Sequence, residues 1–150
     1  MADFELDFDG MDAIPVLFYR PKDGMYGAFS NFYIGDFVLD GHTFACSEQA
    51  LMYGKSTESD YRASVLQSSN PRDMRRLGRT VRLRPDWDEV KLDWMVTVLR
   101  AKFSQNPTLR ALLLQTGDRP IHENCADPWW GGGPNYPSGR DFLGKALRAV

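Results

Sequence analysis

Two side chains of opposite charge, Glu48 and Lys55, stand seven residues apart in a segment with helical spacing. Seven residues make two helical turns, so both would lie on nearly the same face, with backbones about 10 Å apart along the axis. Their long side chains can converge on a substrate placed between them. A lysine whose pKa is lowered by desolvation is a nucleophile, and a nearby carboxylate can carry protons. Two solvated surface charges are the alternative interpretation.

A second unusual segment is the run DPWWGGGPN, residues 127–135, which follows His122 and Glu123. Its composition favours neither helix nor strand. Glycine permits close backbone approach to a ligand and tryptophan rings offer flat stacking surfaces, so the run suits a pocket wall for a base or a sugar. A tight loop around a buried pair of tryptophans explains the same composition equally well.

Six arginines crowd into residues 71–85, where Asp73 is the only acidic residue. Arginine forks match phosphate oxygens, so one or two could anchor a substrate phosphate while the others remain solvated. On a short helix Arg72, Arg76 and Arg79 share a face, and Arg75 is expected to point elsewhere.

A short polar and aromatic segment, FSNF at Phe29, Ser30, Asn31 and Phe32, precedes the first clear strand pair. Two rings and two hydrogen-bonding side chains could hold the edge of a ribose. Closing a turn is the simpler interpretation of this segment taken alone.

The elements that must position these residues begin with a small sheet. Residues 14–19 form an apolar run rich in strand formers, and residues 37–44 alternate around Asp40-Gly41, a dipeptide favoured in hairpin turns. These patterns predict a small antiparallel sheet.

Five helices are predicted after the sheet, from capping residues and apolar spacing. With few strands and many helices, the fold class is α+β: a mostly helical single domain with a small antiparallel sheet. The helices are expected from Ser47 as N-cap through the Glu48–Lys55 segment, from Asn70-Pro71 to Gly78, from Trp87 to Phe103, from Asn106-Pro107 to Gly117, and over 141–150.

Length and charge limit the function classes. A chain of 150 residues suits one domain, here 13–150, after a loosely ordered acidic tail at 1–12. A net charge of −2 argues against a protein that coats nucleic acid. We expect a cytoplasmic protein without a membrane span, metal or cofactor, in which Cys46 and Cys125 are reduced thiols.

Five motifs in a fixed order give the chain a resemblance to the NADAR family of N-glycosidases. The resemblance covers about residues 14–149. The motifs are FSNF (29–32), SEQ (47–49) with Lys55 downstream, LGR (77–79), LRAKFSQNPTLRALLLQTG (99–117) and DPWWGGG (127–133).

The resemblance implies cleavage of a ribose C1–N bond. Some members hydrolyse ribosylaminopyrimidine phosphates of riboflavin biosynthesis, and others remove ADP-ribose from modified guanine in nucleic acid, so an ADP-ribosyltransferase is a possible functional partner. Lys55 would form a Schiff base with the opened sugar, and Glu48 and Asp127 would move protons. The residues expected to bind substrate are Phe29, Ser30, Asn31, Phe32, Arg72, Arg79, Glu123, Trp129, Trp130 and Gly131.

Two features depart from the family pattern, and the second of them, a loop, bears on substrate choice. Asp141 stands where relatives commonly have Asn, and the loop at 133–138 is specific to this chain. The alternative function is a non-catalytic module that binds ADP-ribose or a related nucleotide. Binding alone requires no amine nucleophile, so the presence of Lys55 with Glu48 favours the enzyme.

Overall fold

A computed structural model describes residues 14–150; the predicted acidic tail at 1–12 lies outside the described residues. A single α+β domain with two small sheets is observed, which confirms the predicted fold class. The strands are β1 (Val16–Phe18), β2 (Phe37–Leu39), β3 (His42–Phe44) and β4 (Ile121–Glu123). The helices are α1 (Ser47–Tyr53), α2 (Ser59–Gln67), α3 (Pro71–Thr80), α4 (Trp87–Gln105), α5 (Pro107–Gln115) and α6 (Phe142–Ala149), with a short 3-10 helix at Met25–Phe29.

The predicted hairpin is present, whereas the partner of the first strand differs from expectation. β2 and β3 pair antiparallel around Asp40 and Gly41, both of which have positive φ as the tight turn requires. β1 does not join this hairpin. It pairs in parallel with β4, with Val16 opposite Ile121 and Phe18 opposite Glu123. β4 was not among the predicted strands, because three residues are too few to show an alternating pattern.

The core forms where α4 crosses the other elements. Met95, Val98 and Leu99 of α4 are fully buried. They join Phe29, whose ring packs edge-on against Phe103 at 5.7 Å between ring centroids. Because α4 contacts α1, α5, α6 and β2, it lies at the centre of the core.

The ends of α1 and the start of α6 depart from the sequence predictions. Ser47 is the first residue inside α1 and Cys46 occupies the N-cap position, so Ser47 does not cap the helix. α1 ends at Tyr53, which places Lys55 in the turn that follows rather than on the helix. α6 begins after Asp141, which adopts a left-handed conformation with φ of 58°.

Gly78 does not end α3, which continues to Thr80. A Cβ at Gly78 would overlap the Met52 sulfur and lie 3.5 Å from Cδ of Lys55. The glycine therefore permits close packing of α3 against α1 and the lysine turn. Asn70 caps the start of α3 as predicted, since its Oδ1 accepts a hydrogen bond from the Arg72 N–H at 2.9 Å.

Helix α2 is not among the predicted elements. Only Val65 is buried within Ser59–Gln67, so this segment lacks an apolar stripe that would reveal a helix in the sequence. Within residues 14–150, none of the helices combines the length and the apolar composition that crossing a membrane requires.

Candidate active site

A cavity of about 510 Å³ opens between α1, α3, β4 and the loop that follows β4. We call it the lysine cavity. Both charged residues singled out from the sequence, Glu48 and Lys55, line it together with Asp127. Its lining residues are Tyr19, Asn31, Glu48, Leu51, Met52, Lys55, Arg75, Arg79, Glu123, Cys125, Ala126, Asp127 and Trp130.

Glu48 enters the cavity from the first turn of α1 and is 3% exposed. Its backbone N–H donates to the carbonyl of Asn31 at 2.9 Å, which joins the start of α1 to the FSNF segment. Arg75 Nε lies 3.4 Å from Glu48 Oε1. Burial raises the pKa of the Glu48 carboxyl, and the positive charge of Arg75 opposes that rise.

Lys55 is half-buried in the turn after α1. Its backbone is held on both sides, since its N–H donates to Met52 and its carbonyl accepts from Arg84. The side-chain Nζ donates to the Gly78 carbonyl at 3.3 Å. Burial lowers the pKa of the Lys55 amine, and the nearby Glu48 carboxylate opposes this effect. A larger fraction of uncharged amine is therefore available as a nucleophile.

The DPWW segment gives its two tryptophans different positions. Asp127 Oδ1 accepts hydrogen bonds from the backbone N–H groups of Trp129, at 2.9 Å, and Trp130, at 2.8 Å. Trp130 then lines the lysine cavity. Trp129 does not line it and stacks on Phe142 with 4.2 Å between ring centroids, beneath the ammonium of Lys91.

The glycines of this loop allow it to pack closely against its neighbours. A Cβ at Gly131 would lie 2.8 Å from the Cys125 sulfur and would overlap the carbonyl oxygen of that residue. Gly131 therefore serves backbone packing and is not a lining residue of the cavity. Asp141 fixes the other side of the loop, because its N–H donates to the Gly131 carbonyl and its Oδ2 lies 2.6 Å from His122 Nδ1.

Glu123 and Cys125 form a pair at the end of β4. The Cys125 thiol donates to Glu123 Oε1 at 3.1 Å, and both residues line the lysine cavity. Burial raises the pKa of Glu123 to about 7. Glu123 is one of the residues expected to bind substrate, whereas no role was predicted for Cys125, since a lone cysteine carries no positional signal. Cys46 and Cys125 are both free and buried.

The FSNF residues divide between three locations. Asn31 lines the lysine cavity, whereas Phe29 is fully buried in the core and Ser30 is buried with its Oγ accepting from the Phe32 N–H. Phe32 lies under the Arg75 guanidinium, with 4.3 Å between the guanidinium carbon and the ring centroid. The segment thus supports the lysine cavity, and of its four residues only Asn31 lines that cavity.

A buried lysine stabilises this support. Lys102 on α4 has no exposed surface, and its Nζ donates to the Ser30 carbonyl at 3.1 Å and to Ser47 Oγ at 3.5 Å. Burial lowers the pKa of Lys102 to about 7. Ser30 precedes Asn31 and Ser47 precedes Glu48, so Lys102 holds together the two backbone segments that present side chains to the cavity. Lys102 was not predicted to have a role, because its position on α4 continues the apolar stripe that faces the core.

A second cavity of about 680 Å³ adjoins the first and shares Tyr19, Arg75 and Arg79 with it. We call it the arginine cavity. Its lining contains five guanidinium groups and no carboxylate. The lining residues are Tyr19, Arg20, Phe32, Arg72, Arg75, Arg76 and Arg79.

The expectation that Arg75 points away from the other arginines is wrong. Its side chain lies between the two cavities, because it pairs with Glu48 on one side and stacks on Phe32 on the other. Helical spacing alone places Arg75 on a different face from Arg72, Arg76 and Arg79. The attraction of the buried Glu48 carboxylate instead turns its side chain toward the lysine cavity. Tyr19 and Arg20, which follow β1, were also missed, since only the tertiary fold brings them to α3.

The chain is similar to several known proteins. A family model described as "NADAR domain" matches residues 17–150. N-glycosidase YbiA of Escherichia coli (strain K12) is 38% identical over 133 residues, which cover 87% of this chain and 82% of YbiA. The NMR structure of E. coli YbiA superimposes with a TM-score of 0.82 at 36% identity, covering 92% of this chain and 82% of that one.

A third relative is longer than this chain. A riboflavin biosynthesis protein of Vibrio vulnificus (strain YJ016) is 32% identical over 140 residues, which cover 91% of this chain but 37% of that protein.

The fold and the relatives together define a small α+β enzyme of the class that hydrolyses N-glycosyl compounds. The chain belongs to the NADAR family.

Proposed function

We propose that the protein hydrolyses the ribose C1–N bond of a phosphorylated ribosyl compound through an imine between Lys55 and the opened sugar. The observation that carries this proposal is the position of a half-buried amine among carboxyl groups in one cavity that adjoins an arginine-lined cavity. An amine nucleophile divides a difficult displacement into departure of the base and later hydrolysis of an imine.

The reaction accounts for every atom with one water molecule. The uncharged Lys55 amine attacks C1, the C1–N bond to the base breaks, and its electron pair leaves on the base nitrogen. The ring oxygen then leaves C1 as the lysine nitrogen forms the imine. Water adds to C1, and loss of the lysine nitrogen gives the aldehyde of the sugar, which closes to ribose.

We assign the proton transfers of the lysine step to Glu48 first and Asp127 second. Glu48 lies near enough to Lys55 for its charge to oppose the fall in the lysine pKa, and Asp127 has the same effect more weakly. A carboxylate in this position can take a proton from the attacking amine and return one to the ring oxygen.

For the substrate, we favour a ribosylaminopyrimidine phosphate. The name of the Vibrio relative, a riboflavin biosynthesis protein, supports this class. The five arginines of the second cavity support a phosphorylated sugar, since guanidinium forks match phosphate oxygens. Trp130 provides the ring on which the base would stack.

A second candidate substrate is ADP-ribosylated guanine in nucleic acid. The observation that favours it is the size of the arginine cavity, about 680 Å³, which leaves room for a diphosphate. An ADP-ribosyltransferase would then be the functional partner. The non-catalytic module is less well supported, because binding requires neither a desolvated amine nor a buried carboxyl beside it.

Two measurements on the purified protein test the proposal. Mass spectrometry detects the free base after incubation with a ribosylaminopyrimidine 5′-phosphate or with an oligonucleotide carrying ADP-ribosylguanine. Borohydride added during turnover reduces an imine and leaves the sugar covalently attached to Lys55. Binding of either compound without base release would support the non-catalytic module instead. Rapid base release without an adduct would favour direct attack by water.

A further inference from the structure

Three carboxyl groups line the lysine cavity, and their surroundings differ. Glu48 has an arginine partner, since Arg75 Nε lies 3.4 Å from its Oε1. Asp127 is an exposed residue, and one of its oxygens accepts two backbone N–H groups. Each of these two carboxyl groups therefore has a guanidinium or backbone N–H groups as donors.

Glu123 has neither kind of support. Within residues 14–150 it forms no ion pair, and the one side-chain group that donates to it is the Cys125 thiol, a weak donor. Among the carboxyl groups of this cavity within residues 14–150, it is therefore the one with neither a guanidinium nor a backbone N–H as a donor.

The two negative charges that face Glu123 act in the same direction as its burial. Burial raises its pKa to about 7, and the negative charges of Asp127 and Glu48 add to that rise. The Cys125 thiol and the positive charge of Arg75 lower it, but Arg75 is already paired with Glu48. Lys55 lines the same cavity. A carboxyl group paired with a guanidinium and one without such a partner can take different roles in proton transfer.

We propose that Glu123 is the general acid that protonates the departing base, an assignment that rests on the function proposed above. As the C1–N bond breaks, its electron pair stays on the base nitrogen and the carboxyl proton of Glu123 moves to that nitrogen. Glu123 is then a carboxylate. The water that hydrolyses the imine gives its hydroxyl to C1 and a proton to Glu123, which restores the acid. Glu48 retains the proton transfers of Lys55.

The decisive variant is Glu123→Gln, which preserves size and removes the acidic proton. The probes are a ribosylaminopyrimidine 5′-phosphate, whose base must be protonated on departure, and nicotinamide mononucleotide, whose pyridine base leaves neutral without a proton. We expect kcat on the first probe to fall about 10²–10³-fold, within the range for general acid catalysis. On the second probe the single-turnover rate of base release, which precedes imine hydrolysis, should change less than about 3-fold, because that base leaves without a proton.

The pH profile gives an independent result on the first probe. In the wild type kcat/KM should fall as pH rises above about 7, because Glu123 loses its proton there. Glu123→Gln should lack this fall, whereas Glu123→Asp, which keeps a carboxyl group, should retain it. Thermal melting of the variants reports on folding, and Glu123→Asp keeps the test valid should Glu123→Gln fold poorly.

Opposite results overturn the assignment in distinguishable ways. Equal losses on both probes, or an alkaline fall that persists in Glu123→Gln, would make Glu123 a positioning residue. If the wild type accepts only the pyrimidine probe, the pH profile decides alone. Absence of base release by the wild type from either probe and from ADP-ribosylguanine would refute the proposed function, and the role of Glu123 with it.

Discussion

The two cavities on either side of Arg75 differ in the kind of charged groups that line them and in how far those groups are buried. The lysine cavity contains an amine and three carboxyl groups, and burial shifts the pKa of Lys55, Glu48 and Glu123 toward their uncharged forms. The arginine cavity contains guanidinium groups without a carboxylate, and most of them are exposed. Desolvation creates reactive groups, whereas exposed arginines can bind an anion and remain charged. The contrast indicates chemistry on one side and recognition on the other.

The largest expected effect belongs to the lysine cavity. Lys55→Ala removes the nucleophile, so kcat should fall on the order of 10³-fold or more while thermal stability changes little. Base release and melting temperature are measured together, with Lys145→Ala as the exposed control. Activity within a few-fold of the wild type would exclude Lys55 as the nucleophile.

Arg75 belongs to both cavities, so its replacement should affect both kinetic constants. Arg75→Ala leaves the buried Glu48 carboxylate without its partner and removes a guanidinium from the anion site. We expect kcat/KM to fall about 10²-fold, through a lower kcat and a higher KM. Steady-state kinetics of Arg75→Ala beside Arg82→Ala, an exposed arginine that lines neither cavity, measures the effect. A change in KM alone would assign Arg75 to recognition.

Trp129 and Trp130 are neighbours in sequence, but only Trp130 lines the lysine cavity, so their substitutions should have different effects. Trp130→Ala should weaken substrate binding by about 1–3 kcal/mol, the usual contribution of stacking on one base. Trp129→Ala should instead lower thermal stability, since that ring packs on Phe142 outside the cavity. Isothermal titration with a slowly turned-over substrate measures the affinity of each variant, and thermal melting measures its stability. Equal and small losses of affinity would remove Trp130 from the binding site.

The smallest effect is expected on the arginine side. Arg72 is exposed and lines only the arginine cavity, so Arg72→Ala should raise KM for a phosphorylated substrate about 3–10-fold and leave kcat unchanged. The corresponding unphosphorylated nucleoside should show no difference between wild type and variant. A fall in kcat, or an equal change for both substrates, would contradict the division between the two cavities.

Features with a local cause could be predicted from the sequence. The hairpin follows from Asp40-Gly41, the start of α3 from Asn70-Pro71, and the long α4 from its apolar spacing. Glu48, Lys55 and Asp127 could be selected because carboxylates and amines are the side chains that transfer protons and act as nucleophiles. Resemblance to a family, whose motifs occur here in order, supported the selection.

Features with a distant cause could not be predicted. The parallel pairing of β1 with β4 depends on segments far apart in the chain, and only β1 shows a strand pattern of its own. Arg75 turns toward Glu48, and Gly78 stays helical because Met52 packs against it. Each depends on a contact that a single segment of sequence does not contain.

The parallel pair β1–β4 also sets the time at which the lysine cavity is completed. Tyr19 follows β1 and Glu123 ends β4, so two walls of the cavity meet only when strands about 100 residues apart come together. Closing a loop of that length costs about 4 kcal/mol in chain entropy. During synthesis at roughly 5–20 residues per second, β1 waits about 5–20 s for its partner to emerge. The helix carrying Glu48 and the turn carrying Lys55 are made well before then, so the nascent chain holds the nucleophile for several seconds without the wall that carries Glu123.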